Sequence, residues 1–104
     1  MKILLKPAAR RDLRAIRVSG IETWGLARAN DFLGQLIVAM ERLAEHPYMG
    51  RSRHSLYPGL RSIRFRGYAI FYIVTDGSAD IVAIFHERRN HAALSFANRM
   101  DSET

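Results

Sequence analysis

Residues 29 to 44 carry a hydrophobic stripe that only a helix can gather onto one side. Ala29, Phe32, Leu33, Leu36, Ile37, Met40, Leu43 and Ala44 recur at i, i+3, i+4, i+7, i+8 and i+11 spacing, the mark of an amphipathic helix. His46-Pro47 stops it, because a residue before proline is driven out of the helical region. A weaker stripe lies just upstream. Ala9, Leu13, Ile16, Gly20 and Trp24 share one face, while Arg10, Arg11, Arg14 and Arg17 fall mostly on the other. Ser19-Gly20 interrupts this helix, since a mid-helix glycine costs about 1 kcal/mol relative to alanine; it marks a kink or a close helix crossing. Helices near 8–23 and 26–46, joined by one or two residues around Trp24-Gly25, must form an αα-hairpin. A sheet must then cover their shared apolar face.

Strand signals lie on either side of the hairpin. Ile3-Leu4-Leu5 stops at Pro7, which suits the first turn of the following helix and predicts a strand near 2–6. Residues 47–59 read as a loop punctuated by Pro47, Gly50 and Pro58-Gly59. From 60 to 66, Ile63 and Phe65 alternate with Arg64 and Arg66, a half-buried strand. Gly67 turns the chain. Tyr68 to Val74 is apolar on both faces, which predicts a central, covered strand near 68–75. Asp76-Gly77 is a hairpin signal, and the last strand runs near 79–86. The expected class is α+β: an N-terminal strand, a helical hairpin, then a three-stranded antiparallel meander in the order β-α-α-β-β-β. The expected core is Leu13, Ile16, Phe32, Leu36, Met40, Leu43, Ile70, Tyr72 and Ile84. Residues 1–90 form one domain. Residues 91–104 are a polar tail in which Leu94, Phe96 and Met100 could dock as a short helix or turn.

The chain has 104 residues and no cysteine, which is enough for one core and excludes disulfides and thiolate metal sites. Its longest apolar run, Tyr68 to Val74, is far short of the roughly 20 residues of a membrane span. With no signal-like segment at the N-terminus, the cytoplasm is the expected location. The net charge is +6, which suggests an acidic partner, either nucleic acid or protein. The charge is concentrated: Arg51, Arg53, Arg61, Arg64 and Arg66 fall between Glu45 and Asp76, where no carboxylate occurs.

Catalytic motifs are missing. There is no GxGxxG, P-loop or nucleophile elbow, and the histidines at 46, 54, 86 and 91 lack metal-ligand spacing, so no metal and no cofactor are expected. One set of residues could cleave RNA without a metal. Arg61 and Arg64 would supply charge at a phosphate, and His86, followed by Arg88 and Arg89, would act as acid or base. The simpler account is a structurally bonded His86 at a strand end with solvated arginines around it. Trp24 suits packing at the helix junction. Tyr68 and Tyr72 alternate along one strand, where stacking on bases competes with core packing.

A resemblance adds what spacing alone does not. Asp12-Leu13 with Ile16, then Trp24-Gly25, resembles the first helix of ParE-type toxins in the RelE/ParE superfamily. Phe32-Leu33 with Leu43-Ala44-Glu45-His46-Pro47 and Met49-Gly50-Arg51 resembles their second helix and exit loop. Pro58-Gly59-Leu60-Arg61, Tyr68-Ala69-Ile70-Phe71-Tyr72 and Ala83-Ile84-Phe85-His86-Glu87-Arg88 resemble their later strands. The likeness covers residues 3 to 90, and its specificity lies in the order and spacing of the pieces. It implies a toxin neutralised by a cognate acidic ParD-like antitoxin. It also implies a protein target, DNA gyrase, which ParE-type toxins stall on cleaved DNA. RelE-type relatives instead cut messenger RNA on the ribosome, with basic sheet residues and commonly a tyrosine near the C-terminus. This chain has no tyrosine after Tyr72 and no lysine in the strands of the meander. The expectation is therefore an inhibitor without catalytic residues. The alternative is a ribosome-dependent endoribonuclease using Arg61, Arg64 and His86. Ser19-Gly20 departs from the family's usual aromatic and aliphatic residues and leaves a third reading, a degenerate toxin kept as an antitoxin partner. Antitoxin contact is expected on the hairpin at Leu13, Arg17, Trp24 and Arg28. Target contact is expected at Arg88, Arg89, Leu94 and Phe96, where exposed charge would stand beside apolar anchors. Neither a membrane nor sequence-specific DNA is an expected partner.

If the stripe is the buried face, Leu36→Ala should cost about 2–5 kcal/mol in denaturant unfolding. A loss below about 1 kcal/mol would break the assignment of that face.

Overall fold

The computed structural model describes residues 1–88 and 95–100. Strand β1 (Lys2–Leu5) leads into helix α1 (Pro7–Trp24), and α2 (Leu26–Glu45) follows after the single residue Gly25. Strands β2 (Arg51–Ser52), β3 (Arg61–Phe65), β4 (Tyr68–Val74) and β5 (Ser78–His86) come next, then the short helix α3 (Phe96–Met100). The hairpin turns in one residue because Gly25 takes φ +91°, a conformation that side-chain-bearing residues rarely adopt. Gly20 is the close crossing that its position suggested. It is buried, and a Cβ there would sit 3.3 Å from that of Ala29 on α2.

The sheet has five strands in the order β1-β5-β4-β3-β2. β3, β4 and β5 form the expected antiparallel meander. β1 pairs with β5 in parallel, Ile3 opposite Ala79 and Leu5 opposite Ile81, because the helical hairpin carries the chain back to the end of the sheet at which it started. The segment 47–59 is not all loop: Arg51 and Ser52 pair with Ser62 and Arg61 as the edge strand β2. Two residues are too few to show alternation, so they leave no periodic signal.

Side chains of the sheet divide into two layers. On the helix side, Phe32, Leu36, Met40, Leu43, Ile70, Tyr72, Ile81 and Ile84 are buried together. Leu13 and Ile16, expected in the core, are only partly buried and pack against its margin. The opposite face has its own core, formed by Leu60, Ala69, Phe71, Val82, Ala83, Phe85 and Phe96. β4 is thus covered on both sides, as its unbroken apolar run requires.

Two polar anchors fix the outer parts. The buried Tyr72 hydroxyl donates to the Pro47 carbonyl at 2.8 Å and accepts from the Gly50 N–H at 2.9 Å. Arg61 donates to the Gly50 carbonyl at 2.7 Å. A Cβ at residue 50 would lie 2.8 Å from the Ser62 carbonyl, so only glycine allows this approach. On the other side of the sheet, a bulge at β5 turns backbone groups outward past the end of β1. Asp12 of α1 accepts the Ile84 N–H at 3.0 Å, Arg99 of α3 donates to the Val82 carbonyl at 3.1 Å, and Asp12 and Arg99 are ion-paired.

Burial pushes the Tyr72 phenol up from its usual value, against the downward pull of the Gly50 N–H and Arg61. The raised folded value means its contribution is intact below the unfolded value near 10 and falls as pH rises from there through the folded value. Tyr72→Phe should therefore cost about 1–3 kcal/mol at neutral pH, by leaving the Gly50 N–H without its partner. It should also flatten the loss of stability above about pH 10. Unfolding curves of the two proteins across that range check both.

Candidate functional site

A recess opens where the hairpin meets the β3–β4 turn. It has a volume of about 710 Å³ and is lined by Trp24, Arg28, Asp31, Phe32, Tyr68 and His86, among others. Its floor is a chain of rings. Phe32 lies 5.8 Å from Trp24, 5.6 Å from Phe65 and 5.8 Å from Tyr68, and Tyr68 lies 5.6 Å from His86. The two-residue turn Arg66-Gly67, with φ +44° and +88°, swings Arg66 over the rim. Its guanidinium stands 5.6 Å above the Phe32 ring and donates to Gln35, which in turn donates to Asp31. Trp24 remains 45% exposed at the mouth. A half-exposed tryptophan over packed rings, with Arg28 and Arg66 at the edge, suits an apolar side chain flanked by a carboxylate.

The expected antitoxin-binding residues do not all meet. Trp24 and Arg28 stand in the recess. Arg17 is exposed on α1. Leu13 is partly buried and packs against the domain's own core. Phe32, Tyr68, Asp31 and Arg66 belong to the recess without having been expected there. Phe32 carried only a core signal, Asp31 precedes it on α2, and Tyr68 and Arg66 are brought in by the β3–β4 turn, which no local spacing reveals.

The alternative catalytic trio is not assembled. Arg61 and His86 face the helices, but Arg61 is opposite Tyr72 whereas His86 is opposite Tyr68. Those partners are four residues apart on β4, about 13 Å along the strand. Arg64 points to the other face, where its guanidinium forks onto both Glu87 carboxylate oxygens at 2.8–3.2 Å. That pairing holds the Arg64 pKa above its usual value. Arg61 is engaged with the Gly50 and Tyr48 carbonyls and the Tyr48 ring. His86 is exposed, and its Nδ1 accepts the Arg88 backbone N–H at 3.3 Å. Strand alternation and register thus place the three residues around no common phosphate.

Of the residues expected to touch a target, Arg88 is exposed, and Arg89 and Leu94 lie outside the described residues. Phe96, expected as an apolar anchor of that contact or as a residue docked on its own sheet, is docked. It is 2% exposed, with its ring 5.1 Å from that of Phe71 in the second core. The apolar second face of β4 and β5 needs a cover, and Phe96 supplies it.

Known proteins share this fold and much of this sequence. The chain matches the sequence profile of the family described as ParE toxin of type II toxin-antitoxin system, parDE, over residues 3–91. It is 34% identical to Toxin ParE1 of Mycobacterium tuberculosis over 88 residues, covering 84% of this chain and 90% of the relative. It is 30% identical to Toxin ParE1 of Caulobacter vibrioides over 89 residues, covering 86% and 92%. A solved structure described as "Chromosomal ParDE TA system from P. aeruginosa" superposes with a TM-score of 0.73 at 20% identity, covering 83% of this chain and 95% of that one.

Phe96→Ala should cost about 3–5 kcal/mol in urea unfolding if the ring is seated as described. A change below about 1 kcal/mol would return Phe96 to the surface.

Proposed function

Because the chain belongs to the ParE toxins of type II toxin–antitoxin systems, we propose that it arrests growth by binding DNA gyrase and is neutralised by an acidic ParD-like antitoxin. The family match across residues 3–91 carries this reading. The solved neighbour is described as a ParDE system, which supports an antitoxin partner here. The antitoxin segment folds onto the hairpin, with an apolar side chain in the Trp24–Phe32–Tyr68 recess and a carboxylate at Arg28 or Arg66. The toxin acts without chemistry of its own, a reading supported by the separation of Arg61, Arg64 and His86. Arg88 and the segment after it carry the gyrase contact, and Phe96 anchors that segment without touching the target.

Three outcomes test this. Trp24→Ala with Arg28→Glu should weaken antitoxin binding at least tenfold, the scale of losing an interface anchor, so that cells arrest even when antitoxin is co-expressed. Association should slow with added salt while dissociation changes less. His86→Ala should still arrest growth and inhibit supercoiling, whereas Arg88→Ala with Arg89→Ala should not. Messenger RNA cleavage that disappears with His86→Ala would replace gyrase binding by ribonuclease action.

A further inference from the structure

The face of the sheet turned away from the helical hairpin is split into two halves. Over β4 and β5 it is apolar and capped by Phe96. Over β2 and β3 it is basic. Arg51 is opposite Ser62, and the Arg53 N–H bonds to the Leu60 carbonyl one step further on. Arg64 extends the same face in the other direction. Arg53, Arg51 and Arg64 therefore stand in a row, the first two about 6–7 Å apart along the line of β2 and Arg64 on the neighbouring strand about 7–8 Å diagonally from Arg51. They line a shallow cleft of about 260 Å³ with Ser62, Ala69 and Glu87.

Each arginine is held differently. Arg53 lies 5.3 Å over the Phe71 ring and reaches the Ser62 hydroxyl at 3.5 Å, which fixes its direction. Arg51 is exposed on the edge strand. Arg64 is 82% exposed, and its fork is filled by the Glu87 carboxylate. Glu87 is the one acid among the described residues lining the cleft, and none occurs from residue 46 to 75.

We propose that this row binds the phosphodiester backbone of a nucleic acid, with Glu87 holding the place at Arg64 that a phosphate takes. A guanidinium fork accepts carboxylate and phosphate in the same bidentate geometry, so the Arg64–Glu87 pair is a local copy of the contact. The lining favours a polyanion over a protein segment. No large apolar side chain open to solvent lines this cleft among the described residues, and protein partners need such an anchor. That anchor chemistry lies in the Trp24 recess at the hairpin. Among the described residues the lining also offers no exposed ring for base stacking, so binding is to the backbone and independent of sequence. This site is independent of gyrase inhibition and antitoxin binding, and each can fail without the other.

The test uses the free chain and a short fluorescent DNA of mixed sequence, duplex and single-stranded, read by anisotropy between about 50 and 200 mM salt. Arg51→Ala with Arg64→Ala should weaken binding at least tenfold at low salt and flatten the duplex log–log salt slope by about 1.8, two contacts' worth. Glu87→Gln should tighten binding severalfold by releasing the Arg64 fork. Arg11→Ala with Arg14→Ala removes the same charge from the exposed face of α1 and should leave affinity within about twofold. All the substituted side chains but Glu87 are exposed, and circular dichroism confirms the fold of each variant. Three results would overturn the proposal: no binding at the lowest salt, equal weakening by the α1 pair, or displacement of the DNA by a polyglutamate peptide at equal charge, which would assign the row to an acidic protein.

Discussion

A strand buried on both faces needs two covers, and β4 sets that requirement for the whole molecule. Ile70 and Tyr72 point one way, Ala69 and Phe71 the other, and all are buried. Each large apolar side chain so placed contributes about 1.5–3 kcal/mol. The helical hairpin is the larger cover, with Leu36, Met40 and Leu43 laid across the sheet. The second cover is made from little chain: Leu56 and Tyr57 of the 53–59 segment, with Phe96 and Met100 of α3. It reaches over β4 and β5 and no further. Arg51 of β2 and Arg64 of β3 stay open to solvent because no further element among the described residues covers that half of the face.

The same economy governs the β5 edge. β1 pairs with β5 only from Ser78 to Ile81, while β5 continues to His86. An unpaired edge invites another strand, and a dry N–H without a partner is costly. Side chains take over where β1 ends: Asp12 receives the Ile84 N–H, and Arg99 supplies the Val82 carbonyl. Their ion pair ties α1 and α3 to one point of the sheet, so the two covers are linked through the edge they both close.

Periodic features could be read from the sequence and contacts between distant segments could not. Both long helices, the meander and most of the helix-side core follow from stripes and alternation, because each needs only local spacing. β2 is too short to alternate. Asp12 and Arg99 are 87 residues apart and share no pattern. Leu13 and Ile16 have the right spacing for burial but lie at the flank of α1, where the sheet ends. Within the recess, the place of Trp24 at the hairpin junction was legible. Tyr68 and Arg66 were not, since their position depends on the β3–β4 turn folding back beside α2. The relative placement of Arg61, Arg64 and His86 was not legible for a related reason. Proximity in type and sequence says nothing of register, and a single step along a strand changes the face.

The molecule carries two recognition chemistries on opposite sides of one sheet. The recess at the hairpin joins rings to a cationic rim, which selects a partner by shape and apolar contact. The arginine row joins charge to an open cleft, which attracts by field and discriminates little. With a net charge of +6, any acidic partner is drawn to the chain, so long-range attraction alone cannot decide where it settles. Desolvation separates the two: docking at the recess removes apolar surface from water, whereas at the row it must displace water from guanidinium groups already served by Glu87 and solvent. Of the two, a protein segment therefore gains more at the recess, and a polyanion without apolar groups gains more at the row. The two lie on opposite faces of the sheet, with His86 lining one and Glu87 the other.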